Sequence, residues 1–495
     1  MAIQLRRDSM ESKARLMKDY PDLQRFDRHL AGQVTSGFFE REREIFVNRT
    51  PGRLDLMGGN DDYTGGLVFE TTIQEATFVA VQARTDRVVK FLNPAVKAIG
   101  WQEQLEFSLD DLLADGKVKP LEDVRQWIQR DPRSAWCAYI LGDLYFLLQK
   151  FLSQVTYGLS LYLESDVPLG KGVSSSAALE VAPMKAIAHM YGIQVSGVEL
   201  AEWTQWVEIA LTQSACGIMD QLAVVLGASD CFVPMLCQPC LPQPLVRLPP
   251  NLVVWGIDSG VRHAVSGLEY ESARAATFMG YRYLCDWENL EPVLDESGAL
   301  PRWVEPRWQG YLANLSPSLF RALYEQRLPI SISGDEFSRL YPTHLDPFTP
   351  VRPEVHYPVR AAVRYAVEEN WRVGAFFHLI SRQDGGLDAD VGPILGELMY
   401  LSHQGYSECG LGSEATDKLV ELVRRESGQG LLGAKITGGG AGGTVAILGW
   451  KTSAAREAFQ RVLAGYASWS SSEPYVFSGS SAGCDQFGVL ALKYP

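Results

Sequence analysis

Pro168-Leu-Gly-Lys-Gly-Val-Ser-Ser-Ser-Ala-Ala-Leu-Glu180 is the stretch on which the reading of this chain turns. Two glycines and three serines stand directly before AALEVA, a run of good helix formers. A helix N-terminus carries about half a positive charge and unpaired N–H groups. Gly170 and Gly172 let the backbone approach a phosphate, and the hydroxyls of Ser174, Ser175 and Ser176 can donate to its oxygens or face a metal ion. Serine is also a favoured helix cap, so a capped helix after a glycine turn is the plain alternative and stays open. Pro183 should kink this helix or thin its bonding. The stretch is not a Walker A loop, because no GxxxxGK[ST] occurs in it, and the protein-kinase catalytic-loop and DFG set is missing.

Three further pieces could carry chemistry. Arg53-Leu-Asp-Leu-Met-Gly-Gly-Asn-Asp-Asp-Tyr-Thr-Gly-Gly66 lies between two predicted strands. Its Gly, Asn and Asp content suits any loop, yet an arginine with adjacent aspartates could also hold a polyhydroxylated ligand. Gly433-Ala-Lys-Ile-Thr-Gly-Gly-Gly-Ala-Gly-Gly-Thr444 contains a formal GxGxxG at Gly438, Gly440 and Gly443. It precedes a strand instead of following one, which inverts the dinucleotide-binding context. Its glycines suit a backbone that wraps close to phosphates or to a neighbouring loop. Finally, Glu208 and Asp220 flank Gly217 in VEIALTQSACGIMDQ. With Glu208 on a helix and Asp220 on the turn after it, one carboxylate could take Mg²⁺ and the other a hydroxyl proton. Surface charge is the plain reading of such a pair.

Outward from these motifs the chain reads as α+β. Helices are predicted over residues 8–31 with a break at Pro21, and over 135–152, 198–212, 269–287, 354–369 and 390–426. Strands are predicted at 44–48, entering a turn at Pro51-Gly52, and at 71–82, 88–91, 158–164, 233–236, 252–258 and 444–448. No regular βαβ rhythm supports a doubly wound sheet. Residues 238–250 hold five prolines among thirteen residues, which excludes an internal strand or helix. They are the expected seam between an N-terminal domain at 39–237 and a C-terminal domain at 238–495, after a helical lead at 1–38.

The 495 residues carry 45 Lys+Arg against 59 Asp+Glu, a net charge of −14. Such a chain repels nucleic-acid backbones and anionic lipids. No run reaches the ~18 apolar residues of a membrane span. MAIQLRRDSMESKAR has no signal-peptide core, and eight cysteines are too few for a disulfide framework. Cys237 and Cys240 form a lone CxxC without a second ligand pair. A cytoplasmic protein without nucleic-acid or membrane partners is expected.

Jointly, the four motifs resemble the GHMP small-molecule kinases, and among them the sugar-1-kinases. PLGKGVSSSAALE resembles the family's phosphate loop and GAKITGGGAGGTV its C-terminal glycine motif. TPGRLDLMGGNDDYTGG is similar to the galactokinase signature, and CGIMDQ to the segment with the catalytic Asp. The stretches CQP (237–239), WGIDSGVRHAV (255–265), YLANLSP (311–317), ECGLGSEATD (408–417) and GSSAGCDQFG (479–488) resemble the kinase half of plant-type L-arabinokinases. The resemblance implies a two-domain α+β fold with the active site in the interdomain cleft. It further implies that the substrates are ATP and a sugar, with Mg²⁺ as cofactor. Asp220 falls on the base that takes the anomeric proton, and Arg53 on the arginine that steadies it. Glu208 and Ser176 fall on the Mg²⁺ ligands, with Ser175 able to share the latter role, and Gly170, Gly172, Ser174 and Ser175 on the nucleotide phosphates. Lys171 stands where the family often has Ala, and either adds a charge near those phosphates or is a solvated side chain. Trp136 falls near the adenine or in the core. Asp62, Asn60, Gly217 and Tyr270 fall on sugar contacts, and Gly438, Gly439 and Gly440 on the third motif.

One departure bears on substrate. Galactokinases read GEHxDY where this chain has Gly58-Gly59-Asn60-Asp61-Asp62-Tyr63. The missing Glu contacts the sugar's 6-hydroxyl in the family. L-Arabinopyranose shares the ring stereochemistry of D-galactopyranose but lacks C6, so an acid at position 59 would be stranded at a cost of ~1–3 kcal/mol. The resemblance therefore implies an L-arabinose 1-kinase. Galactose, fucose or glucuronate kinase, or a non-catalytic sugar sensor on the same fold, are the alternatives.

Overall fold

The computed structural model describes residues 18–261, 267–382 and 385–495. The helix expected before residue 18 and part of the 255–265 match lie outside them.

Leu67–Ala83 is the hub of a nine-stranded sheet. Ile45–Met57 runs antiparallel along one edge of it. The other edge is shared, with Cys231–Leu236 on its first residues and Leu159–Ser165 on its last. Val88–Leu92 and Gln104–Ser108 extend the sheet beyond Leu159–Ser165. The turn expected at Pro51-Gly52 is instead part of the continuous strand Ile45–Met57, with a register shift between Pro51 and Arg53. Proline has no N–H for the ladder, and a bulge absorbs that loss while re-aiming the next side chain. That next side chain is Arg53.

The proline-rich stretch supplies only the two-residue pairings Leu241–Pro242 and Val246–Arg247, both on Cys231–Leu236. The second sheet opens at Leu252. Its order is Leu431–Ile436, Thr444–Trp450, Leu252–Asp258 and Val476–Ser478, all antiparallel. Residues Leu490–Leu492 then return to the first sheet beside Ile45–Val47.

Helices Cys137–Phe151, Ser175–Met190, Gly197–Val207 and Met219–Leu226 share one apolar core with Val79, Val81, Val89 and Leu161 of the first sheet. The Ser175–Met190 helix continues past Pro183 to its end. Leu23, Phe26, Leu30 and Val34 line the buried face of helix Pro21–Thr35, and Phe26 stacks on Phe78 at 4.8 Å. Helices Glu414–Arg425 and Ser453–Ser470 pack on the second sheet through Leu419, Val423, Phe459 and Val462. Leu54, Leu56 and Phe69 meet Val373, Phe376, Leu448 and Phe477 in a cluster that joins the two halves. Among the described residues no helix is long and apolar enough to cross a membrane.

Helix Val391–Glu408 rests directly on strand Leu431–Ile436. A Cβ at Gly433 would sit 2.5 Å from the Gly396 Cα, and one at Gly396 would overlap the Leu432 carbonyl. These obstacles are main chain and cannot yield. Gly396→Ala should lower stability by about 2 kcal/mol or more, read as a lower urea midpoint. Gly374, on helix Val359–Ile380, has nothing within 4 Å of its Cβ position. Gly374→Ala should be neutral or raise stability by about 0.5–1 kcal/mol.

Candidate active site

A cleft between the two sheets gathers Arg53, Asn60, Asp62, Gly170, Gly172, Ser174, Ser175, Ser176, Glu208, Gly217, Asp220, Tyr270 and Gly439 on one lining. Its floor is the loop before helix Ser175–Met190. Gly170 and Gly172 both take φ +69°, and Ser174, the N-cap, is left-handed at φ 59°. Ser175 and Ser176, in the first turn of that helix, line the cleft, and a first helical turn carries N–H groups without partners inside the helix. Ser174 Oγ is buried without a hydrogen-bond partner.

The third glycine motif is the turn between strands Leu431–Ile436 and Thr444–Trp450. It lies backbone against backbone on the first loop. A Cβ at Gly438 would meet Gly172 O at 2.7 Å, and one at Gly443 would meet Lys171 O at 2.9 Å. Thr444 Oγ1 donates to Lys171 O at 2.8 Å. Of its glycines, Gly439 reaches the lining, Gly438 packs on Gly172, and Gly440 lies against Leu411 and Tyr406. Between the two sequence readings of this motif, wrapping on a neighbouring loop is the one its backbone adopts.

Arg53, buried, joins these pieces. Its main-chain N–H donates to Val173 O at 3.1 Å and its Nη1 to Gly172 O at 2.6 Å. Nε and Nη2 both donate to Asp220 Oδ1, at 2.9 and 2.6 Å. Glu70 stands on its other side, 3.2 Å from Nε. Burial lowers the guanidinium's pKa, and Asp220, Glu70 and Asp55 raise it by more, so Arg53 stays charged. Asp220 sits in the first turn of helix Met219–Leu226 and not, as expected, on the turn before it.

Glu208 opens a π-helical turn, Glu208–Thr212, at the end of helix Gly197–Val207. Gln221 Nε2 donates to its Oε2 at 2.7 Å. Burial lifts its carboxyl to about 7 and Asp220 adds to this, against hydrogen bonds from Ser176, Cys216 and Gln221. Hydroxyl and carboxylate oxygens of this kind are what Mg²⁺ accepts alongside nucleotide phosphates and water.

On the other wall, Asp62 accepts from Tyr63 N at 2.9 Å and Met219 N at 3.3 Å. Its carboxylate fills the place of a side chain at Gly217, so a side chain at that position would have to displace Asp62. Burial, then the charge of Asp220, pushes Asp62 up to about 6. Asn60 is left-handed at φ 62° and its Oδ1 is buried without a partner.

Besides Gly438 and Gly440, three expected residues do not reach the lining. Lys171 turns from the phosphate loop to Asp258 of the second sheet, 2.8 Å away, where it finds a fixed counter-charge. Trp136 is a core residue whose indole N–H donates to Gln102 O at 2.8 Å. Gly59 faces Asp55 and Tyr406. Two partners escaped the sequence reading. Glu70, a charged residue inside an apolar strand, was a signal in itself. Arg274 pairs with Asp346 at 2.8 and 3.1 Å and donates to the carbonyls of Ala215 and Cys216, which holds the wall before Gly217. Nothing local in the sequence marks that pair.

The GHMP kinases N terminal domain matches residues 138–228, the galactokinase galactose-binding signature 36–83, and the GHMP kinases C terminal domain 391–468. The chain belongs to the GHMP kinase family. It is 35% identical to an L-arabinokinase of Arabidopsis thaliana over 93% of its own length, and spans about half (48%) of that protein. It is 31% identical to a galactokinase of Chloroflexus aggregans, covering 85% of this chain and 88% of the relative. Lactococcus lactis galactokinase, solved with galactose, has the same fold at TM-score 0.70 and 20% identity, over 94% of this chain and 99% of that one. A mevalonate kinase shares it at TM-score 0.52 and 12% identity, over 88% and 99%.

A carboxyl near pH 6 in the ligand wall has a measurable consequence. If Asp62 binds its ligand as the carboxylate, the ligand's KM should rise about tenfold from pH 7 to pH 5, and Asp62→Asn should flatten that rise. The folded state holds this proton more tightly than the unfolded chain does, so Asp62 costs stability as pH climbs from about 4 to about 6. Asp62→Asn should accordingly raise the melting temperature of the unliganded protein at pH 8 and leave it nearly unchanged at pH 4.

Proposed function

We propose that the protein transfers the γ-phosphoryl group of ATP to the anomeric hydroxyl of L-arabinose, giving L-arabinose 1-phosphate and ADP. One observation carries the reading. Nε and Nη2 of Arg53 converge on a single oxygen of Asp220, so the other oxygen remains for a substrate hydroxyl. Phosphoryl transfer demands positioning and charge stabilisation more than covalent chemistry from the protein. In this reading Asp220 orients the sugar hydroxyl and accepts its proton, while Arg53 fixes Asp220 and faces the moving charge. Asn60, Asp62 and Tyr270 hold the sugar. The Gly170–Ser176 loop and the N-terminus of its helix take the nucleotide phosphates. Glu208 and the Ser176 hydroxyl would hold Mg²⁺, which supplies charge neutralisation on those phosphates when bound. Residues 39–237 supply most of these groups, and 238–495 closes the cleft from the other side.

L-Arabinose is favoured by the likeness to an arabinokinase over 93% of the chain and by the absence of an acid at position 59. Galactose is the second reading, favoured by the match to the galactose-binding signature and by two galactokinase relatives. A coupled ADP-release assay over L-arabinose, D-galactose, L-fucose and D-glucuronate separates them. The highest kcat/KM should fall on L-arabinose, and a higher value on D-galactose makes this a galactokinase. Sugar binding without ADP from any of the four would indicate a sensor. Asp220→Ala should lower kcat by about 10²–10⁴-fold with nucleotide binding retained, and appreciable residual turnover would remove Asp220 from the proposed role.

A further inference from the structure

Gly58 and Gly59 are adjacent but are glycines for different reasons. Gly58 takes φ +92°, and a Cβ there would meet the Leu67 carbonyl at 2.6 Å. Backbone forbids a side chain at that position. Gly59 has no such φ, yet a Cβ there would fall well under 3.0 Å from both Asp55 Oδ2 and the Tyr406 hydroxyl. Only side chains exclude one.

Those side chains are themselves pinned. Lys435 Nζ donates to Asp55 Oδ2 and to Ile436 O, each at 2.6 Å, with both ends of the ion pair fully buried. Asp55 Oδ1 accepts from Gly59 N at 3.1 Å. Tyr406 donates to Gly438 O at 2.7 Å. Tyr365 donates to Gly59 O at 2.5 Å, and Glu369 accepts from Gly58 N at 3.0 Å. Lys435, Tyr365, Glu369 and Tyr406 all come from the second half of the chain.

We propose that Asp55, Tyr406 and Lys435 are positioning residues: Asp55 and Tyr406 fill the volume of a side chain at position 59, Lys435 pins Asp55, and together they lock the backbone that presents Asn60 and Asp62 to the cleft. The inference rests on reading Asn60 and Asp62 as the sugar-binding wall. Removing Asp55 strands a buried ammonium, so Asp55→Ala must be paired with Lys435→Met.

The test is a mutant cycle. Gly59→Ala in the native protein should lower the melting temperature by several degrees and raise sugar KM about tenfold or more. In an Asp55→Ala/Lys435→Met/Tyr406→Phe background the same substitution should change KM less than about twofold. Gly58→Ala should remain equally damaging in both. An undiminished cost of Gly59→Ala in the altered background overturns the proposal. Should that background fail to fold, a crystal structure of Gly59→Ala decides: Asp55 or Tyr406 must be displaced, and both in place with the loop intact sinks the idea. The melting-temperature arm needs no substrate, so a silent sugar panel would count against the proposed function and not against this cluster.

Discussion

A single buried guanidinium ties the structure to its chemistry. Arg53 reaches the carbonyl of the phosphate loop, one oxygen of Asp220 and the buried carboxylate of Glu70 at once. Placing a charge in a low-dielectric interior is expensive unless partners surround it, and breaking one such partnership costs more than the pair contributes. The surrounding acids keep Arg53 charged, and Arg53 in turn makes it tolerable to bury acids beside it. The strand carrying it must shift register at Gly52 to aim it, and the Val173 carbonyl receives its main-chain N–H. Loop, strand and the Met219–Leu226 helix are thereby set relative to one another by one side chain.

Beside this centre one loop from each half also meets the other backbone to backbone. Gly172, Gly438 and Gly443 allow two loops to touch through their backbones, and Lys171 and Thr444 close the contact with a counter-charge and a hydroxyl. An acidic chain can offer an anion site without a basic patch, because backbone dipoles and a helix N-terminus act at contact range while net charge acts at long range.

Much of this was legible in the linear pattern. Strands near 71–82, 88–91 and 252–258 and the helix over 135–152 follow from apolar periodicity, which depends on neighbours in sequence. The phosphate-type loop followed from glycine and serine placement before helix formers, again a local property. Pro51-Gly52 misled because proline and glycine mark bulges as well as turns, and only the partner strand decides between them. The partners of Lys171 and Trp136, Asp258 and Gln102, lie 87 and 34 residues away, so the local pattern could neither name the counter-charge of Lys171 nor choose the core over the site for Trp136. The Arg274–Asp346 pair left no local trace at all.

The sequence by itself determined which segments become strands and helices, where the backbone can take left-handed or close-packed turns, and which acids and which arginine stand available for chemistry. Those properties reside in single residues and their immediate neighbours. Tertiary structure alone decided that Arg53 grips one oxygen of Asp220, that the third glycine motif wraps the phosphate loop, and that Gly59 is closed by Asp55 and Tyr406. Each of these depends on side chains or backbones brought together from distant parts of the chain, and a shift of an ångström in either partner would change the outcome.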